Sequence, residues 1–318
     1  MDQLLNAYKL FYKTRRWTAI SLGGFLFLKN TLPDLLPQYV FMPMNASLEC
    51  SHYPFSYQSW LLRITQHDMN LSNNTISAIP FISTRFEACS AGFAGVGPLK
   101  PVSMLGIPKN FYCTNIIEVD ELGVHIGRKK VDGMQSQTEQ DLLQSLILSE
   151  SAQKFAVARE LYYILDNWSL LRGILPSAFV FLGYFLCFHG PRLLFAKGAP
   201  VSLVSIFRFT VISVFVTWLS CKLAKSVFLH RMIYSIDEKA AKVNSEYAEG
   251  GVEYFEKHCA WNKACKVLLG AKGDKIFTVT GNEKDGMFVN WKGPSNTQRK
   301  KRICKILKSF KADEATVT

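Results

Sequence analysis

Several signatures of catalysis are missing from these 318 residues. There is no Cys-x-x-Cys, no His-Glu-x-x-His and no Gly-x-Ser-x-Gly, so a redox dithiol, a zincin-type centre and a nucleophile elbow have no sequence to build them. The eight cysteines, at 50, 89, 113, 187, 221, 259, 265 and 304, are scattered, and two fall inside apolar runs. That spacing speaks against a disulfide framework or a structural zinc site and suits a reducing compartment. Acidic residues are scarce at both ends. Residues 1–30 hold five basic residues and one acidic one, Asp2, whereas residues 31–170 carry nine basic and thirteen acidic residues. Residues 222–318 are basic again, with nineteen against eleven, within an overall net charge of +12. Basic ends around an acidic middle point to targeting or to an anionic surface before they point to catalysis.

What the chain does have is lipid-compatible length. "LLRGILPSAFVFLGYFLCF" (170–188) is apolar apart from Arg172 at its edge, and "VSLVSIFRFTVISVFVTWLSC" (201–221) is long enough to cross a hydrocarbon core of about 30 Å. The short Gly- and Pro-flanked link "HGPRLLFAKGAP" makes them a transmembrane helical hairpin over 170–221. Lys154, Arg159, Arg172, Lys222, Lys225, Arg231 and Lys239 flank it outside, against Arg192 and Lys197 in the link, which places both large regions on the positive-inside face. The apolar stretch Trp17–Leu28 is short for a span, and the basic segment before it has the composition of a targeting or membrane-surface segment. The charge balance favours two spans over three. Arg208 lies seven residues into the second span, where an ionisable group either faces a partner or snorkels to the boundary.

The remainder reads as α+β. Residues 31–169 open with prolines, then "SYQSWLLRITQ" has helical spacing. "IPFISTRFEA" and "FYCTNIIEV" have strand composition, "SAGFAGVGPLKPVSMLGIPKN" reads as a structured loop, and "GVHIGRKKVDG" as a short hairpin. From Gln140 a helical period begins, with Leu148, Ala152, Phe155, Ala158, Tyr162 and Leu165 on one face, and this helix is expected to run straight into the first span. Glu150 and Lys154 form a supporting i,i+4 pair. A matching helix leaves the second span. In 222–318 follow "KIFTVTGNEKDGMFVNW", two strand-like runs about a turn, and "TQRKKRICKILKSFK", a basic terminal helix with an apolar stripe that can lie on an anionic membrane, bind nucleic acid or dock on the protein.

"EYAEGGVEYFEKH" (246–258) is the one stretch with the residue types of a metal site. On a helix its four glutamates share one stripe, with Lys242 and Lys257 interleaved at i,i+4 spacing, and Tyr247, Tyr254, Phe255 and His258 occupy the other side. A carboxylate di-iron centre needs two Glu-x-x-His pairs; the single pair in the chain, "ECSH" (49–52), lies in a Pro-flanked stretch. The double glycine at 250–251 has no phosphate-loop pattern and suits close helix packing. The stretch is expected to be an amphipathic helix with a solvated acidic face and His258 in the core. No metal site and no cofactor site is assigned.

Five blocks occur in an order that resembles the transmembrane protein 177 family of the mitochondrial inner membrane: "SAGF" (90–93), "GIP" (106–108) with Phe111, "LSESAQKFAVARE" (148–160), "YAEGGVEYFEK" (247–257), and "LLGAKGDKIFT" with "TGN" to Asn282. The resemblance covers residues 90–283. It implies a non-enzymatic assembly or stability factor for cytochrome c oxidase, acting around newly made subunit II with that subunit's membrane chaperone and Sco-type copper-delivery proteins. It supplies no catalytic positions. Gly92, Gly106, Pro108, Gln153, Lys154, Phe155, Arg159, Glu160, Gly250, Gly251, Glu253 and Phe255 are carried over as packing or partner-contact positions, and Arg208 matches no family motif. Two alternatives remain at this stage. One is an endoplasmic-reticulum glycoprotein, motivated by Asn-x-Ser/Thr at Asn45, Asn70, Asn73 and Asn167; the other is a membrane metalloenzyme using His52, His125 or the glutamate stripe.

Overall fold

The structure, a computed structural model, describes residues 17–31, 55–71, 81–84, 92–94, 104–126, 129–131, 136–166, 168–194, 203–284 and 293–317. In chain order the elements are α1 (17–31), α2 (Phe55–Asp68), β1 (Phe81–Thr84), β2 (Gly92–Ala94), β3 (Met104–Pro108), α3 (Ile116–Glu121), β4 (His125–Ile126) and β5 (Lys129–Lys130). They continue with α4 (Gln137–Ser145), α5 (Glu150–Leu165), α6 (Trp168–Leu194), α7 (Leu203–Ala241), α8 (Ser245–Leu269), α9 (Ala271–Ile276) and α10 (Asn296–Val317). The chain divides into a hairpin unit, Met1–Pro33 with Trp168–Phe228, and a core unit, Asp34–Asn167 with Leu229–Thr318.

In the hairpin unit, α6 and α7 run antiparallel. Trp168 meets Phe228 with ring centroids 5.5 Å apart, Gly183 faces Thr217, and Gly190 faces the Phe209 ring so closely that a Cβ would lie 2.7 Å from it. Small residues at these crossings let the backbones approach, the usual packing device between helices in lipid. Both helices are long and apolar enough to cross a membrane. Their outward side chains remain uncovered, Phe207 at 69 % exposure and Ile212 at 61 %, a surface suited to acyl chains and not to water. α1 lies antiparallel along α6: the Ser177 hydroxyl donates to the Gly23 carbonyl at 2.9 Å, and Gly173 packs against Thr31 and Phe27. The short apolar stretch near the N-terminus is thus a helix laid on the hairpin, and it is not among the described helices long enough to span alone.

The core unit is built around α5 and α8. α5 is buried on almost every face from Ala152 to Ala158, and Phe155, Tyr254 and Phe255 form an edge-packed triad with centroids 5.2–6.0 Å apart. α10 docks on α8, with Ile303 fully buried, so the basic terminal helix is a docked one. Among the described residues, strand is limited to two small sheets. In the first, β3 sits between β1 (parallel, Ile82 opposite Gly106) and β2 (antiparallel, Gly92 opposite Gly106); the second is the β4–β5 hairpin. The chain is therefore a helical membrane protein with minor sheet content.

Four local expectations are corrected. "FYCTNIIEV" is a 3-10 turn (Lys109–Tyr112) followed by α3, because the Asn115 side chain accepts the Glu118 N–H and caps a helix that Ile116 and Ile117 would not suggest. The 90–110 loop contains two strands, β2 and β3. The helix before the first span is broken twice, at Ser149, which caps α5 through the Ala152 N–H, and at Asp166, its C-cap. Finally, the described part of 275–291 forms the end of α9 and an isolated Phe277–Glu283 bridge about Gly281, while residues 285–292 lie outside the described residues.

Candidate functional site

The densest chemistry in the core unit is an ionic knot on Asp237, near the C-terminal end of α7. Arg159 on α5 donates its Nε to Asp237 Oδ1 at 2.7 Å; Arg299 on α10 donates Nε to Oδ2 at 2.6 Å and a terminal nitrogen to Oδ1 at 2.9 Å. Arg159 also donates to the Tyr254 hydroxyl at 3.1 Å and lies 3.8 Å from Glu160, so three helices meet at one carboxylate and α8 joins them through Arg159. Burial alone would raise the Asp237 carboxyl, but the Arg299 and Arg159 guanidiniums outweigh it and hold it below the usual carboxylate range. Glu160, buried beside the same pair without a close fork of its own, is pushed up to about 7 by desolvation, with the guanidiniums opposing. His258 packs against Tyr254 with the rings tilted at 57°, its Nε2 sealed from solvent with no hydrogen-bond partner. Burial, then the charges of Arg299 and Arg159, lowers it to about 3, which keeps it neutral.

The four glutamates of 246–258 do lie on a largely solvated face, but their partners are outside the helix. Glu246 pairs with Lys154 at 3.0 Å, Glu249 with Lys311 at 3.1 Å and Glu256 with Lys300 at 2.7 Å. Glu253 accepts both the backbone N–H and the hydroxyl of Ser149 at the start of α5. Lys242 turns back to Glu238 and Lys257 to the Gln144 carbonyl, so the expected i,i+4 pairing within the helix is replaced by contacts to α5 and α10. The Glu150–Lys154 pair forms as expected, at 2.8 Å. Gly250 is where α8 touches α5: a Cβ there would lie 2.2 Å from the Ser151 carbonyl oxygen, and one on Gly251 2.8 Å from the Phe155 ring.

The fold thus gathers Gln153, Lys154, Phe155, Arg159, Glu160, Gly250, Gly251, Glu253 and Phe255 at one seam between α5 and α8. It leaves Gly92, Gly106 and Pro108 in the small sheet, and Arg208 exposed on α7 in the hairpin unit. Asp237 and Arg299, the centre of the knot, were not among the sequence candidates. The available signal was Asp237 at i+4 from Ile233 and i−4 from Ala241, a carboxylate on an apolar stripe.

An open cleft of about 750 Å³ lies beside the seam, lined by Tyr57, Tyr112, Cys113, Ser149, Gln153 and Glu253 among others. The Tyr57 hydroxyl donates to Gln153 at 2.7 Å, burial raises both phenols, and burial with Glu118 and Glu121 pushes the Cys113 thiol up to about 11. At neutral pH these groups rest in their protonated, unreactive forms. His125 is exposed on β4, its Nδ1 2.7 Å from the Gly123 carbonyl, and His52 lies outside the described residues. Among the described residues, no three His, Cys, Asp or Glu side chains are grouped to hold a metal. The arrangement can bind and fix helices.

Comparison with known proteins returns one group of relatives. The chain is 31 % identical to transmembrane protein 177 of Xenopus laevis over 72 % of its own length and 73 % of the relative's. It is 34 % identical to that of Rattus norvegicus over 64 % and 63 %, and 28 % identical to that of Danio rerio over 91 % and 92 %. No family model and no solved structure matches.

Proposed function

Because the chain belongs to the transmembrane protein 177 family, we propose that it is a non-catalytic, multi-pass protein of the mitochondrial inner membrane supporting cytochrome c oxidase subunit II biogenesis and stability. Its partners in this reading are subunit II, the subunit's membrane chaperone and Sco-type copper chaperones. Both regions flanking the hairpin face the matrix.

The supporting observation is the division of labour within the chain. Lipid-facing helices anchor it, while the polar side chains around the seam are engaged in joining helices, Asp237 to two arginines and Glu246 to Lys154. Such a molecule offers surface and position, the properties an assembly factor needs. Affinity purification of the tagged full chain from mitochondria translating radiolabelled subunits tests this. Labelled subunit II and its chaperones should co-purify; recovery of other mitochondrial translation products without subunit II would refute it. Arg208→Leu is expected to weaken that association while leaving membrane insertion intact, as measured by carbonate extraction beside the pull-down.

A further inference from the structure

The hairpin unit holds cations and almost nothing to balance them. In the sequence of residues 1–33 and 168–228, Asp2 is the one acidic residue, and none occurs in 17–31, 168–194 or 203–228. The basic side chains fall at the ends of the apolar runs: Lys29 closes α1, Arg172 opens α6, and Lys222 and Lys225 follow the apolar run of α7. Because α1 and α7 both run antiparallel to α6, these ends come together. Thr31 touches Gly173, Trp168 meets Phe228, and Lys225 lies within electrostatic reach of Arg172, Lys222 and Lys29. Lys222 also sits over the Trp218 ring at 6.0 Å. Arg208 is seventeen residues before Lys225 on α7, about 26 Å along the helix, so this cluster occupies one end of the apolar run only.

We infer that Lys29, Arg172 and Lys225, supported by Lys222, form a binding site for the phosphate headgroup of an anionic glycerophospholipid at the membrane boundary. Three helices supply like charges to one place with no carboxylate among the unit's described residues, an arrangement that repels itself until an anion enters. Basic recesses between transmembrane helices bind acidic headgroups in this way, and the Arg172 guanidinium can take a phosphate in a two-pronged contact. A lipid is favoured over a free phosphate ester by what surrounds the cations. Leu28, Leu171, Leu223 and Val227, each next to one of them or two residues away, are large apolar side chains between 43 % and 54 % exposed, placed to receive acyl chains. Lys29, Arg172 and Lys225 are exposed and open to the headgroup, and Lys222 is half-buried beside them. The inference needs the membrane embedding of the hairpin and does not rest on the oxidase role.

The test uses the full chain purified in a nonionic detergent, titrated with dioleoyl phosphatidylglycerol or dioleoyl phosphatidylcholine and read by native mass spectrometry. Phosphatidylglycerol should bind preferentially and in a salt-sensitive way. Combined Lys29→Gln, Arg172→Gln and Lys225→Gln substitution should weaken it on the order of a hundred-fold, at roughly fivefold for each cation. A charge-matched control, Lys272→Gln, Lys275→Gln and Lys305→Gln, alters exposed lysines of the core unit and should leave it unchanged. Equal binding of phosphatidylcholine, equal loss in the control, or equal affinity for soluble glycerol 3-phosphate would each overturn the assignment. Should the triple variant not fold, hydrogen exchange on the unaltered chain decides. Anionic against zwitterionic bicelles should protect 25–31, 168–176 and 219–228; unchanged exchange there, or protection only on adding an acidic peptide, would contradict it.

Discussion

Charge is handled in opposite ways by the two units. In the core unit, Asp237 accepts three hydrogen bonds from two mostly buried arginines, and Lys154 sits between Glu150 and Glu246. In the hairpin unit, Lys29, Arg172, Arg208 and Lys225 stand exposed, with no carboxylate in that unit's described residues. The first pattern spends charge on joining helices within the chain; the second leaves charge for something outside it. A buried ion pair is costly to break on one side only, because the partner is left charged and dry, whereas an exposed cation removed from a surface changes little. The same side-chain chemistry is therefore structural in one unit and receptive in the other.

The contrast is sharpest between Asp237→Asn and Lys225→Gln. Asp237→Asn should lose about 3 to 5 kcal/mol, since Arg159 and Arg299 would remain mostly buried without their shared anion, while Lys225→Gln in neutral detergent should stay within about 0.5 kcal/mol. Denaturation of the full chain in detergent measures both, and equal effects would erase the distinction. Next comes Gly250→Ala. With a Cβ 2.2 Å from the Ser151 carbonyl, α8 must back away from α5, at a cost of about 1 to 3 kcal/mol; full stability would mean that the seam is looser than described.

The pH dependence of the knot follows from Glu160 and His258. Glu160 is raised by burial to about 7 in the folded state, so the fold holds a proton that the unfolded chain releases at lower pH. Its contribution is fully present below the ordinary carboxylate range and is lost as pH rises through about 7. His258, lowered to about 3, works in the other direction: stability is present above its ordinary range and is lost as pH falls towards about 3. Glu160→Gln should therefore remove a loss of about 1 to 3 kcal/mol between pH 5 and pH 8 that the unaltered chain shows. An identical pH profile in the variant would place the titration elsewhere. The smallest effect is expected from Lys311→Ala, whose pair with Glu249 is exposed on both sides: about 0.5 kcal/mol or less by the same denaturation measurement.

Local signals in the sequence carried well. The hairpin is legible because its apolar runs are continuous, and α8 because its period is that of a helix. Ser149 and Asn115 mark where local reading is thinnest: a single capping side chain breaks one helix and begins another where composition alone suggested continuity or strand. The knot was out of reach for a different reason. Asp237 is 78 residues from Arg159 and 62 from Arg299, and Arg299 sits in a basic run that reads as a solvated face. Only the packing of α10 on α8 turns one member of that run inwards. The glutamate stripe shows the same limit, since its spacing gave the helix and the shared face but not the four contacts beyond it.

The most direct test of the account is the topology of the hairpin. Tags placed after Thr318 and, separately, within the 195–202 link are followed by protease digestion of intact mitochondria and of mitoplasts, alongside carbonate extraction. The account predicts a carbonate-resistant protein whose C-terminal tag stays protected in mitoplasts while the link tag is cut. Release into the carbonate supernatant, or cleavage of the C-terminal tag in mitoplasts, would contradict it.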